Sequence, residues 1–190
     1  MAVFKNAVLD DARSIVSRYP AGRERSAVMP LLYLAQSVEG RVTREGLQEV
    51  ADLLRITTAE VEAVASFYTM IRLRPTGKHV VTVCTNLACA LRGAKDVYEA
   101  AHHALEMPHE GELAADELVT LHEEECLGAC ELAPVVAIDF AYHDEVTPER
   151  MRGLIEALQR GEVPQPSRGP AMRDFRHASR VLAGLNGGPA

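Results

Sequence analysis

The sequence predicts a mixed α and β protein in three parts: an N-terminal helical domain over residues 1–78, an α/β domain over 79–163 and an extended tail over 164–190. Three observations predict it. Apolar residues before Lys78 recur at helical spacing without strand-like runs. Between His79 and Val163, short β-prone runs alternate with two amphipathic stretches. Then comes Pro164-Gln-Pro-Ser-Arg-Gly-Pro170, too rich in proline and glycine for regular structure.

In the first part, Leu9, Ala12, Ile15, Val16 and Tyr19 form one apolar stripe, closed by Pro20-Ala-Gly22. Val28 to Val38 form a second, with a bend expected at Pro30 because a proline ring clashes with the preceding turn. A third helix runs from about Thr43 to Leu54. The fourth opens on Thr57-Thr-Ala-Glu60, a capping box in which hydroxyl and carboxylate each satisfy a backbone N–H of the other residue, and it carries Val61, Val64, Ala65 and Tyr68 on one face. These stripes, with Phe67 and Tyr68, are expected to be core.

In the second part, Val80-Val-Thr-Val-Cys84 predicts a strand, and Leu91, Ala94, Val97, Tyr98 and Ala101 predict a helix from about Ala90 to Leu105. Cys89 then lies near a helix N-terminus, where the dipole favours a thiolate, and Gly93, unfavourable inside a helix, is expected to serve close packing. Glu117 to His122, Pro134 to Asp139 and Tyr142 to Glu145 read as strands, the last two paired across a tight turn. Thr147 as N-cap and Pro148 at the first helical position start a helix to about Gln159. The predicted order is β, α, β, loop, β, β, α. In the tail, Phe175, Ala178, Val181 and Leu182 recover some periodicity between Ala171 and Leu185, as in a short docking segment; its own chain and a partner both stay open as the surface it docks on.

The chemistry lies in the only four cysteines, the pairs Cys84-Thr-Asn-Leu-Ala-Cys89 and Cys126-Leu-Gly-Ala-Cys130, both at strand ends. They read as four thiolate ligands of one metal centre. Zinc knuckles usually space paired cysteines two residues apart, whereas a binuclear iron–sulfur cluster takes two thiolates on each iron and accepts wider loops. The spacing therefore favours a [2Fe-2S] cluster held by Cys84, Cys89, Cys126 and Cys130, with zinc as the alternative. Met1-Ala-Val-Phe-Lys-Asn-Ala begins no signal peptide, which argues against disulfides. Neither pair has the Cys-x-x-Cys spacing of a thiol–disulfide enzyme, and no histidine spacing indicates Rieske ligation. Gly128 is placed to let the second loop take a positive φ and turn toward one centre.

Composition bounds the rest. With 190 residues, 47% of them hydrophobic, the chain can hold two small domains. It has no apolar run approaching 18 residues, so no membrane insertion of its own is expected. Neither a phosphate-binding loop nor a dinucleotide glycine motif is present. The net charge of −7 is uneven: residues 1–78 hold 11 basic and 9 acidic side chains, 79–163 hold 5 and 17, and 164–190 hold 4 and 1. The acidic middle part repels nucleic acid, attracts a basic protein surface and lowers the potential of a bound cluster. Glu123-Glu-Glu125, beside Cys126, reads either as a solvated charge run or as a docking contact.

Val61-Glu-Ala-Val-Ala-Ser-Phe-Tyr68, Pro75-Thr-Gly-Lys-His79, Val83-Cys84-Thr-Asn-Leu-Ala-Cys89-Ala-Leu-Arg-Gly93 and Glu125-Cys126-Leu-Gly-Ala-Cys130-Glu-Leu-Ala-Pro134 together resemble the small thioredoxin-like [2Fe-2S] subunit of NADH:quinone oxidoreductase, respiratory complex I. The resemblance runs from about Arg18 through the tail. It implies a helical N-terminal domain followed by a thioredoxin-like ferredoxin domain, with a cis peptide bond at Ala133-Pro134. It also implies an electron-transfer subunit packed against a larger flavoprotein subunit that holds FMN and the NADH site, among other peripheral-arm subunits on the cytoplasmic side of the membrane. NADH oxidation then belongs to that partner and not to this chain. Related subunits occur in NAD-linked hydrogenases and formate dehydrogenases. Arg41, where many members carry an aromatic, and Leu132, where asparagine is common, depart from the pattern without touching a ligand.

Overall fold

The computed structural model describes residues 2–107, 113–114 and 117–185, so residues 186–190 of the predicted tail lie outside the described residues. The chain divides into two compact units, residues 1–75 with 176–190, and residues 76–175.

The first unit is helical. Helix α1 spans Ala7–Ser17, a 3-10 turn spans Glu24–Ala27, and α2 (Val28–Glu39), α3 (Arg44–Leu54) and α4 (Thr58–Phe67) follow. Both predicted helix starts at threonine form: Gly46 N–H donates to Thr43 Oγ1 at 3.2 Å, and the Thr57–Glu60 capping box closes in both directions. α2 is buried from Leu31 through Gln36 and forms the centre of this unit. Pro30 falls in its first turn, where backbone N–H groups have no helical partner, so the proline starts α2 instead of interrupting it. Phe67 and Tyr68 correct the expectation of core: Phe67 is 76% exposed and Tyr68 44%. The helix ends at Phe67, and Tyr68 takes an extended conformation that turns both rings outward, while Val61 and Ala65 alone are buried on α4.

Residues 176–185 of the tail complete this unit, whereas 164–175 belong to the second. Helix α8, over Phe175–Leu182, follows the extended residues, and Ser179 accepts from Gln36 Nε2 at 3.1 Å. Gln36 also donates to Met70 O and accepts from Arg72 N–H, so a fully buried amide is satisfied on each side. Arg180 pairs with Asp11 at 2.7 Å.

The second unit is a four-stranded sheet in the order β2-β1-β3-β4, formed by β1 (His79–Cys84), β2 (Val119–Glu124), β3 (Val136–Ile138) and β4 (Ala141–His143). β2 runs parallel to β1, while β3 and β4 are antiparallel to their neighbours. The predicted helix from Ala90 to Leu105 is two helices, α5 (Leu87–Leu91) and α6 (Ala94–Ala104). Gly93 between them has φ +89°, a left-handed conformation that ends one helix and starts the next, so its role is to break and not to pack. α6 and α7 (Pro148–Gln159) cover the sheet through Val97, Ala101, Met151, Ile155 and Leu158, against Val81, Val83, Leu121 and Val136. The last two strands are shorter than predicted. Left-handed residues Asp139, Phe140 and Glu145 bound β4, and a 3-10 turn at Cys130–Leu132 precedes the cis Ala133–Pro134 bond.

Two histidines are core: His79 and His143 are each under 3% exposed. His79 Nδ1 lies 2.7 Å from Asp139 Oδ2, and Asp139 Oδ1 accepts from Val80 N–H, which pins the start of β1 to the turn after β3. Among the described residues no helix is long and apolar enough to cross a membrane.

Candidate metal centre

The apolar run Val80–Val83 holds β1 in the centre of the sheet and delivers Cys84 at its end, where Cys84 N–H donates to Val135 O at 3.0 Å. The chain then turns at Thr85, whose N–H donates to Glu124 O, and Asn86 starts α5 by accepting Leu87 N–H on its side chain. Cys89 is the third residue of α5, within its first turn and so near a helix N-terminus as expected, but of a separate five-residue helix and not of one running to Leu105. Cys84 and Cys89 are buried in an apolar group with Ala94, Ala129, Ala133 and Val135. On the opposite side of α5, Leu87 and Leu91, one turn apart, are 70% and 79% exposed.

The second pair is exposed. Cys126 follows the end of β2, and Cys130 opens the 3-10 turn that packs against α5. Gly128 between them has φ +71°, and its N–H points at Cys126 Sγ at 3.4 Å. The loop is held from outside by the Tyr142 hydroxyl, which donates to Leu127 O at 2.8 Å. Glu125 O accepts a long contact from Cys84 Sγ at 3.8 Å, joining the two loops.

All four thiols are free, and they act on one another. Burial first, then a hydrogen bond with Cys84, pushes the Cys89 thiol up to about 11, and Cys130 adds to the effect. Cys130 is raised first by its hydrogen bond with Cys126 and next by the charge of Cys126, with Cys84 a smaller cause. Neighbouring strands bring the two pairs to one end of the sheet: Cys84 ends β1 opposite Glu124 of β2, and its Sγ lies 3.8 Å from Glu125 O, one residue before Cys126. Among the described residues, no three or more His, Cys, Asp and Glu side chains converge on a single-ion site. Such a centre favours a group that removes protons from thiols and spreads four negative charges, as a bound cation does. Tyr142, Leu127 and the two exposed leucines were not singled out by the sequence as parts of the site. Their only signals were strand alternation and helical spacing, which carry no information on what lies across a loop.

The profile of the thioredoxin-like [2Fe-2S] ferredoxin family matches residues 12–159. A subunit of the NADH-quinone oxidoreductase of Mycobacterium bovis is 45% identical over 175 residues, covering 92% of this chain and 68% of its own length. The subunit of the same name from Rickettsia bellii is 39% identical over 157 residues, covering 82% of this chain and 93% of its own. Among solved structures, an NAD+-reducing [NiFe]-hydrogenase in the air-oxidized state aligns with a TM-score of 0.62 at 20% identity, over 70% of this chain and 23% of that one, which is a likeness of fold.

Proposed function

The chain belongs to the thioredoxin-like [2Fe-2S] ferredoxin family, and from that premise we propose that it is the electron-transfer subunit of an NADH:quinone oxidoreductase, with one [2Fe-2S] cluster held by Cys84, Cys89, Cys126 and Cys130. The observation that carries this reading is that the two cysteine pairs begin at the ends of neighbouring parallel strands, with Cys84 Sγ 3.8 Å from Glu125 O, the residue before Cys126. Two thiolates per iron is the ligand set of such a cluster, and the donors present fit it. When bound, the cluster takes up and gives back one electron at a time.

The chain's own residues set the conditions. Cys84, Cys89 and the alanines around them exclude water from the inner side of the centre, while Cys126 and Cys130 leave its outer side open. Leu87 and Leu91 add exposed apolar surface on α5, and Glu123, Glu125 and Glu131 in the segments next to the second pair add negative charge. A partner that presents an apolar centre with a basic rim fits such a face. The FMN- and NADH-binding flavoprotein subunit is the partner this reading assigns, on the cytoplasmic side of the membrane. NADH oxidation is assigned to that partner, and Val181 and Leu182 of α8, both more than a third exposed, are candidate contacts to neighbouring subunits.

The test is anaerobic purification of the full chain. Red-brown protein with two irons and two sulfides per chain, and an electron paramagnetic resonance signal on reduction, is the expected result. Colourless zinc protein, or a reducible disulfide, would overturn it, as would NADH oxidation by the pure chain.

A further inference from the structure

We propose that Tyr142 is a positioning residue for the ligand Cys126, and that Arg168 of the tail holds Tyr142 in that role. The proposal rests on the cluster reading above and concerns how the exposed half of the centre is ordered.

Cys126 and Gly128 are exposed, while Ala129 is buried and Leu127 packs beside it, so packing anchors one side of the loop and leaves the Cys126 side to be oriented by polar contacts. The orientation of that side comes from one peptide group. Leu127 C=O and Gly128 N–H belong to the same planar unit, and in a trans peptide they point in opposite directions. The Tyr142 hydroxyl takes the oxygen at 2.8 Å. The N–H is then aimed the other way, at Cys126 Sγ, 3.4 Å distant. Glycine at φ +71° permits this plane where a side chain would strain it. Hydrogen bonds to cluster sulfurs disperse the charge that an added electron brings, so this N–H supports a higher reduction potential.

Tyr142 is itself clamped. It lies on β4 at the edge of the sheet, where residues 167–168 add one further bridge: Ser167 N–H donates to Tyr142 O at 2.7 Å, and Asp144 N–H donates to Ser167 Oγ at 2.8 Å. Arg168 places its guanidinium carbon 4.8 Å from the centre of the Tyr142 ring. Its Nη2 also pairs with Asp144 Oδ1 at 2.7 Å, a planar fork held at one end and stacked at the other. The proline-rich segment therefore reaches the cluster loop through a single aromatic ring. An ordinary packing role would explain the ring, but not a hydroxyl spent on the one carbonyl that aims an N–H at a ligand sulfur.

Tyr142→Phe in the full chain keeps the ring and its stack and removes only the hydroxyl. The expected results are a lower midpoint potential, shifted g-values of the reduced cluster, and roughly tenfold faster hydrogen exchange of the 126–130 segment by mass spectrometry. Arg168→Gln should move all three in the same direction by less, and Arg168→Lys should restore part of the change. An unchanged potential in Tyr142→Phe overturns the proposal, even where exchange quickens. Should the wild-type chain carry no cluster, the function reading falls, and unchanged exchange in Tyr142→Phe would still overturn the positioning role.

Discussion

The two cysteine pairs carry the same donor chemistry and are held by opposite means. Cys84 and Cys89 come from a central strand and a helix, are buried, and share an apolar group with four small or branched neighbours. Cys126 and Cys130 come from a loop and a 3-10 turn and are themselves exposed; of the residues between them Ala129 is buried, and Leu127 is tied by the hydrogen bond from Tyr142. The difference teaches that the first pair is specified by burying the thiols themselves, and the second by packing one loop residue, Ala129, and orienting the rest through polar contacts. Packing resists substitution through volume and desolvation, whereas a lone hydrogen bond contributes about 1 kcal/mol and leaves the loop able to relax.

The sharpest way to break this comparison is to exchange the four cysteines one at a time for serine. Cys84→Ser or Cys89→Ser should lose the cluster's visible absorption altogether, since a buried alkoxide has no way to adjust its position or its hydration. Cys126→Ser or Cys130→Ser should keep a cluster with an altered paramagnetic resonance spectrum, because the exposed loop can move to the shorter iron–oxygen bond. Equal loss from both pairs would remove the distinction.

Titration sharpens it next. In the cluster-free chain, the Cys89 thiol pushed up to about 11 should remain protonated at pH 8 and react with iodoacetamide far more slowly than the exposed Cys126. A raised thiol pKa favours the neutral form, so between about pH 9 and 11 the folded chain binds more protons than the unfolded one and stability falls as pH rises. Thermal melts across that window should show a falling midpoint, and a Cys89→Ala variant should flatten the slope.

A smaller effect concerns charge on the open side. Changing Glu123, Glu124 and Glu125 to glutamine should raise the cluster's potential. Each carboxylate about 10 Å away interacts with the added electron by roughly 0.4 to 1.7 kcal/mol as the effective dielectric falls from 80 to 20, about 20 to 70 mV. High salt should shrink the change, since exposed charges are screened. A potential that stays fixed or falls in redox titration would make the run a solvated surface only.

The smallest effect compares two glycines. Gly93→Ala and Gly128→Ala both place a side chain at positive φ, and at neither position does the added Cβ meet another atom closer than 3.4 Å. Each should cost about 1 to 2 kcal/mol of strain in urea denaturation. Only Gly128→Ala should also alter the cluster spectrum, because its peptide faces Cys126 Sγ.

Much of the fold was legible. Thr43, Thr57 and Thr147 mark helix starts that form with their hydroxyls as caps, because capping acts within three residues. Apolar spacing marks β1 and α7 for the same reason. Phe67 and Tyr68 misled, since helical spacing says which residues share a face but not where the helix stops. Gly93 misled in turn, because a glycine inside an amphipathic pattern reads alike whether it is tolerated or breaks the helix.

By itself the sequence determined the four cysteines as the candidate centre, the helical first part and the β, α, β, β, β, α order of the second. Those properties follow from residue type, spacing and local hydrogen bonding. Only the tertiary structure decided which pair is buried, that Tyr142 reaches Leu127 across 15 residues, and that Arg168 lies over Tyr142. Those contacts exist once β3 and β4 add to the sheet and the tail returns along its edge. No local pattern encodes them, because each depends on where two distant segments come to rest.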